Sequence, residues 1–166
     1  MARSCENLGL FYKRLGDYDK AIENFGRSYQ IQKELTANDG GLPSPITVYR
    51  LAFCYQTLGD IKTAIKFNNE ALKIERVAKN SGEILSTIFN NLGHCYMNLG
   101  DFKTAIKFLE QTLLIMKKSS VEGSQIVVTR TVIDIGKCYH KLENPEKAIQ
   151  YFEEGSRLEK LSLIHI

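Results

Sequence analysis

Cysteine and histidine are the residue types in this sequence that most often perform catalysis or bind metals. The four cysteines, at positions 5, 54, 95 and 138, lie 49, 41 and 43 residues apart, and no CxxC pair occurs. Zinc sites and disulfide frameworks use closer or paired spacings. The pattern indicates neither, and we interpret Cys54, Cys95 and Cys138 as buried core residues of similar helices.

Three histidines, His94, His140 and His165, are candidates for acid–base chemistry. The sequence has no GxSxG, HExxH or glycine-rich Lys-Ser/Thr motif that would supply a nucleophile, a metal or a phosphate beside them. We therefore predict that the protein is not an enzyme and that it has no cofactor and no metal site. An enzymatic alternative would require turnover that depends on His94 or His140.

Composition and charge narrow the class of protein. The 166 residues carry a net charge of +3, with 43% hydrophobic and 25% charged residues, which are ordinary values for a globular chain. The longest aliphatic run, Leu113 to Met116, is far too short to span a membrane, and Arg3 interrupts any apolar N-terminal signal. We predict a cytoplasmic protein that makes no membrane contact and has no need of nucleic acid.

A repeat with a period of 43, 41 and 43 residues organises the chain. Each copy has a small residue followed three positions later by Tyr and then by a Leu, a turn, an Ala-Ile pair and an aromatic. The small residue and the Tyr are Gly9 and Tyr12, Ala52 and Tyr55, Gly93 and Tyr96, and Gly136 and Tyr139. The Ala-Ile pairs begin at Ala21, Ala64, Ala105 and Ala148, and the aromatics are Phe25, Phe67, Phe108 and Phe152.

Each part of the repeat has a physical role. Apolar residues three and four positions apart form one face of a helix. In Gly16-Asp17 and its equivalents, Gly ends the first helix by adopting a positive φ, and Asp caps the second. The small residue lets the second helix approach closely, with the Ala-Ile pair at the crossing. Each copy is thus predicted to be a helix pair that buries its apolar face only by stacking on other copies.

This pattern resembles the tetratricopeptide repeat, although Cys5, Val48, Phe89 and Val132 stand where that repeat has Trp. The period of about 42 residues is similar to the long repeats of kinesin light chains, Leu-Gly-Asn-repeat adaptors and nephrocystin-like proteins. The resemblance implies an all-α solenoid, a superhelix of four antiparallel helix-turn-helix repeats. It also implies that the inner faces of the first helices line a concave groove that binds peptides.

We predict a single tetratricopeptide domain over residues 1–166, with repeats at about 1–37, 44–80, 83–120 and 124–161. Segments rich in the helix-breaking and loop-forming residues Gly, Asn and Ser, at 38–41, 80–82 and 119–123, separate the repeats. The apolar tail at 161–166 is interpreted as the start of a further repeat. First helices are expected at 3–15, 44–58, 83–99 and 124–141, and second helices at 18–35, 61–79, 102–119 and 145–160.

The resemblance places a set of residues in the groove, where positive charge concentrates. Seven inner-face positions are basic, including Arg3, whereas only Glu6 and Asp134 are acidic. Asn7 and Asn91 share a register at which related repeats grip a peptide main chain; the alternative is that they tie neighbouring helices together. The predicted groove residues are Asn7, Lys13, Arg14, Tyr49, Arg50, Phe53, Asn90, Asn91, His94, Asn98, Arg130, Lys137 and Lys141.

The sequence therefore predicts a non-enzymatic adaptor that binds an extended, acidic segment of a partner protein. The alternative is a regulatory module of a larger switch protein that binds its own chain. RNA is disfavoured as a ligand of the basic groove, which lacks regularly interleaved aromatic residues. The apolar chain ends lack the polar surface of a terminal repeat. We interpret the chain as part of a longer array, or as one whose ends are covered by a partner or by self-association.

Overall fold

The computed structural model describes residues 1–37, 40–78, 82–119 and 123–164, and within these ranges α-helices are joined by turns and short loops, with no β-strand. Both the all-α class and the sequential helix pairs are confirmed, with the largest differences at the ends of α6 and α8. None of these helices combines the length and hydrophobicity that crossing a membrane requires. The eight helices are α1 (Ala2–Leu15), α2 (Tyr18–Ala37), α3 (Pro45–Thr57), α4 (Ile61–Ala78), α5 (Gly82–Asn98), α6 (Phe102–Met116), α7 (Ser124–Lys141) and α8 (Pro145–Ile164).

The helices are grouped into two compact units, Met1–Ile84 and Leu85–Ile166. In the first, α2 packs against both α1 and α3, and α3 packs against α4; in the second, α7 packs against both α6 and α8. Breakers at 38, 39, 80, 81 and 120, and residues 165 and 166 of the predicted tail, lie outside the described residues. Residues 161–164 continue α8.

The turn inside each helix pair has the predicted geometry. Gly16, Gly59 and Gly100 end their helices with φ of 80°, 88° and 78°. The following Asp accepts a hydrogen bond from a backbone N–H three residues later, as Asp101 does from Thr104 at 3.1 Å. The fourth copy lacks Gly-Asp, yet Glu143 adopts a φ of 55° and the Asn144 side chain accepts from the Lys147 N–H at 3.1 Å. Asn is a good N-cap, so the sequence change preserves the turn.

The small residue of each repeat lies where the two helices of a pair cross. A Cβ added to Gly93 would lie 2.7 Å from Cδ2 of Leu109, and a Cβ on Gly9 would lie 2.7 Å from the Phe25 ring. The second pair has Ala52 and Asn68 at the equivalent positions, both fully buried. Ala52 is larger than the glycine of the first pair, but Asn68 is smaller than the Phe25 that faces that glycine. The two helices of the second pair can therefore still cross closely.

The four aromatics do not occupy equivalent positions in the repeat. The rings of Phe25 and Phe152 cover the glycines of their pairs. Phe67 and Phe108 lie one position earlier and instead stack on Tyr55 and Tyr96, each at 5.5 Å between ring centroids. The sequence already carries this difference, because Phe67 and Phe108 follow their Ala by three residues instead of four, and adjacent residues on a helix point 100° apart.

The Ala-Ile pair marks the crossing through its alanine only. All four alanines are buried, but Ile106 is 7% exposed whereas Ile149 is 56% exposed. Ile106 belongs to the apolar cluster that joins α6 to α7, together with Leu109, Ile135 and others. The isoleucine position therefore faces the helix of a following repeat rather than its own partner.

The cysteines are core residues, as predicted for Cys54, Cys95 and Cys138. All four are buried and none forms a disulfide. Burial raises the pKa of the thiols of Cys54, Cys95 and Cys138 to about 11. These thiols stay protonated at neutral pH and are poor nucleophiles and metal ligands.

Two helical glycines should respond to the same substitution with opposite signs. Gly93→Ala should lower the free energy of unfolding by about 1–3 kcal/mol, because its methyl group would overlap Leu109. Gly26→Ala should raise it by about 0.5–1 kcal/mol, because open space surrounds that position and Ala favours helix. Urea unfolding followed by circular dichroism measures both. A Gly93→Ala protein at least as stable as Gly26→Ala would contradict the close crossing.

Candidate functional site

In the first unit, the inner faces of α1 and α3 bring charged and aromatic side chains together. The Arg50 guanidinium donates to the Glu6 carboxylate at 2.6 Å, and both side chains are largely shielded from solvent. The Lys13 ammonium lies 4.4 Å from the centroid of the Phe53 ring, a cation–π geometry. The aromatic surface of this face is therefore covered by a cation, while its one acidic group is neutralised by Arg50.

In the second unit, α5 and α7 enclose a cleft of about 450 Å³. This size falls within the usual range of ligand sites, roughly 300–1,000 Å³. Its lining combines cations, amide and hydroxyl groups with two branched apolar side chains. The lining residues are Asn90, His94, Val127, Arg130, Thr131, Ile133, Asp134 and Lys137.

Asp134 is the electrostatic centre of this cleft, with a side chain only 13% exposed. Its carboxylate accepts from the Lys137 ammonium at 2.8 Å and lies 3.1 Å from Nε2 of His94. Burial by itself raises the pKa of Asp134, but the hydrogen bonds from His94 and Lys137 outweigh burial, and the pKa is lowered overall. The carboxylate thus stays ionised at neutral pH and holds His94 and Lys137 in place across the α5–α7 interface.

The predicted site residues divide into those that the cleft includes and those that it does not. Asn90, His94, Arg130 and Lys137 line it, whereas Asn98 and Lys141 are exposed near the ends of their helices. In the first unit, Lys13 lies over the Phe53 ring and Arg50 pairs with Glu6. Tyr49 is half-buried and Arg14 is exposed.

The shared register of Asn7 and Asn91 hides a difference in their surroundings. Asn7 is exposed on α1, but Asn91 is only 9% exposed and does not line the cleft, which Asn90 does. At the same register stand Arg50 and Asp134, and both are engaged in ion pairs. Gripping a peptide main chain at this register therefore remains a prediction for Asn7 and Asn91.

Val127 and Thr131 line the cleft but were not among the predicted groove residues. They precede Asp134 by seven and three positions on α7, which is the spacing of one helix face. Extending the predicted inner face of α7 by one turn toward its start would have found Val127. Thr131 directly follows the predicted residue Arg130. Within the described ranges, no three His, Cys, Asp or Glu side chains converge as metal ligands would.

The sequence matches a family profile over nearly its whole length. The profile of the tetratricopeptide repeat matches residues 1–77 and 84–158. A search of curated proteins finds no match.

Solved structures share the fold at low sequence identity. BtubC (BKLC) from P. vanneervenii is 23% identical with a TM-score of 0.84, over 97% of this chain and 64% of that one. The apo form of RapI is 18% identical with a TM-score of 0.82, over 97% and 56%. A putative kinesin light chain with TPR-like repeats from Podosopora anserina is 19% identical with a TM-score of 0.74, over 95% and 74%. The chain thus spans less than two thirds of BtubC and of RapI, and at these identities the similarity shows the fold alone.

Replacing Asp134 by Asn should lower the free energy of unfolding at pH 7 by about 1 kcal/mol, because Lys137 and His94 lose their charged acceptor. The folded-state pKa of Asp134 lies below the unfolded value of about 4. Its contribution is therefore present above that value and is lost as the pH falls through the folded pKa. The gap between wild type and variant should narrow below about pH 4.

Urea unfolding between pH 7 and pH 2.5 measures this gap. Glu153→Gln, which alters an exposed carboxylate on α8, is the matched control and should leave stability unchanged at every pH. A gap for Asp134→Asn that is constant over the whole pH range would contradict the electrostatic role of Asp134.

Proposed function

The chain belongs to the tetratricopeptide repeat family, whose members usually act as protein-interaction modules without catalysis, and we propose that it binds an extended, acidic peptide segment of a partner protein. The inner faces of the first helices are the candidate binding surfaces, and each unit has its own: that of α1 and α3 in the first unit and that of α5 and α7 in the second. The observation that carries the proposal is the charge state of these faces.

Both acidic groups of these faces are already neutralised within the protein. Glu6 is paired with Arg50, and Asp134 with Lys137 and His94. Neither carboxylate therefore presents a negative charge to an approaching ligand. What remains is positive: within the described ranges, the exposed Arg14 and Arg130 form no ion pair with any acidic side chain.

Of the two binding surfaces, the one in the second unit is better defined, because it contains Arg130 and a cleft. Arg130 is exposed on α7 at the wall of the α5–α7 cleft, beside the half-exposed Val127. A guanidinium can bind a carboxylate through two parallel hydrogen bonds, which gives a peptide both affinity and register. Val127 and Ile133 offer apolar surface in the same cleft. This pairing suits a peptide in which an acidic residue stands beside an apolar one.

Electrostatics of this kind speeds association and selects the partner more than it adds affinity. An exposed cation on the rim is screened by salt, whereas a peptide side chain in the cleft is screened less. The complex should therefore weaken as salt rises and level off at the affinity that apolar and backbone contacts provide.

A selection of random peptides displayed on phage, against the 166-residue protein, tests the proposal. Acidic sequences without helical periodicity should be enriched. Arg130→Glu should weaken binding of a selected peptide by about 10-fold or more, equivalent to about 1.4 kcal/mol. Fluorescence anisotropy with the labelled peptide, at low and high salt, gives the dissociation constants.

Lys103→Glu is the matched control, because it makes the same charge change at an exposed position on the second helix α6. It should alter affinity less than 2-fold, which separates a contact from the effect of net charge. Enrichment of basic peptides, or equal losses in Arg130→Glu and Lys103→Glu, would sink the proposal.

A further inference from the structure

The outer face of α1, formed by Ser4, Leu8 and Phe11, is unlike the same face of the other first helices. Leu8 is 47% exposed and Phe11 is 57% exposed. Their equivalents one period later, Leu51 and Cys54, are buried. This difference comes from what lies against each helix, because the four residues compared, Leu8, Phe11, Leu51 and Cys54, are all apolar.

Two interfaces within the units show what covers this face. On α3, Leu51 and Cys54 pack against Ala21 and Phe25 of the preceding helix α2. On α7, Ile135 and Cys138 join the same cluster as Ala105, Ile106 and Leu109 of the preceding helix α6. In both units the cover is the second helix of the preceding pair. The occupant that fits α1 is therefore a helix of that kind.

The α2–α3 interface also fixes the direction of such a helix. Residues early in α2 meet residues late in α3, whereas Gln32, late in α2, accepts from the Ser44 N–H at 2.7 Å and donates to Thr47 Oγ1 at 3.1 Å near the start of α3. The two helices are antiparallel. An occupant of α1 would place its own first turn beside the last turn of α1.

The chain itself carries a matching surface, on the outer face of α8. Ile149 and Phe152 stand at the repeat positions of Ile106 and Leu109, and both are exposed, whereas Ile106 and Leu109 are buried against α7.

We propose that the protein self-associates head to tail, with α8 of one copy packed antiparallel on α1 of the next through Ile149 and Phe152 against Leu8 and Phe11. The contact continues the interface that α2 makes with α3 and α6 makes with α7. It is not an exact copy, because Phe11 replaces a cysteine and fills more space beside Ile149. Such a head-to-tail contact leaves one unused surface at each end of an open assembly, so further copies can add as the concentration rises.

Sedimentation velocity of the full chain, from about 10 μM to 1 mM, tests this proposal over the range of weak association. The mean mass of wild type should rise steadily beyond that of a dimer. Phe11→Glu blocks one surface and Ile149→Glu blocks the other, so each variant alone should stay monomeric. An equimolar mixture of the two retains one intact pair of surfaces and should form a dimer and nothing larger.

Leu15→Glu is the matched control on α1. Leu15 is exposed, but so are its equivalents Leu58 and Leu99, so this position lies outside the repeated interface. The variant should associate as wild type does. Thermal unfolding by circular dichroism checks that all three variants remain folded, as expected for substitutions of exposed residues.

The other occupants of this face give different results, and each overturns the proposal. Pairing of α1 with α1 of a second copy would stop at a dimer, would survive Ile149→Glu and would be weakened by Leu15→Glu. Wild type that stays monomeric up to 1 mM would show that α8 is not the cover of this face. A mixture of the two blocked variants that stays monomeric while wild type associates would also exclude the α8–α1 contact.

Discussion

The close crossing of two helices within each pair is the constraint on which the rest of this structure depends. With Gly93 against Leu109, the backbones approach so closely that no Cβ fits between them. This contact fixes the angle of a pair and so decides which residues point outward, toward the next pair. The Gly100 turn and the Asp101 cap serve the same end, since they start the second helix at the position that the crossing requires. Where Ala52 replaces the glycine, the facing position holds Asn68 and both residues remain buried, so the crossing is preserved.

Because a helix pair has two apolar sides, each side is buried where another helix packs on it, and within the described residues the outer faces of α1 and α8 carry exposed apolar side chains. Cys138 is buried by the helix before it, whereas Phe11, at the same position of α1, is exposed. In the same way, Ile149 on α8 is exposed, whereas Ile106 at the same position of α6 is buried. The repeat architecture therefore creates two complementary surfaces as a by-product of its stacking, and the self-association inferred above would use both.

The inner faces follow a different rule, because they carry exposed side chains such as Arg14 and Arg130 that can be varied for binding. Glu6 and Asp134 are each neutralised by cations of the same unit, so the faces remain positive even though they contain acids. Asp134 links α5 to α7 through His94, which makes it a positioning residue for the cleft rather than a contact for an acidic ligand. The peptide proposal and the self-association proposal thus concern opposite sides of the first helices and can fail independently.

The sequence alone determined the all-α class, the helix pairs and their turns, because Gly-Asp and the 41–43-residue period act through local geometry that nearby residues control. Even the altered turn at Glu143 keeps its form, since Asn144 caps as Asp does. Only the tertiary structure decided that Phe67 stacks on Tyr55 whereas Phe25 covers Gly9. The tertiary structure also decided which cations neutralise Glu6 and Asp134, and that Val127 lines the cleft. These features depend on side chains meeting across helices, and the spacing along one helix does not specify the distance to the next.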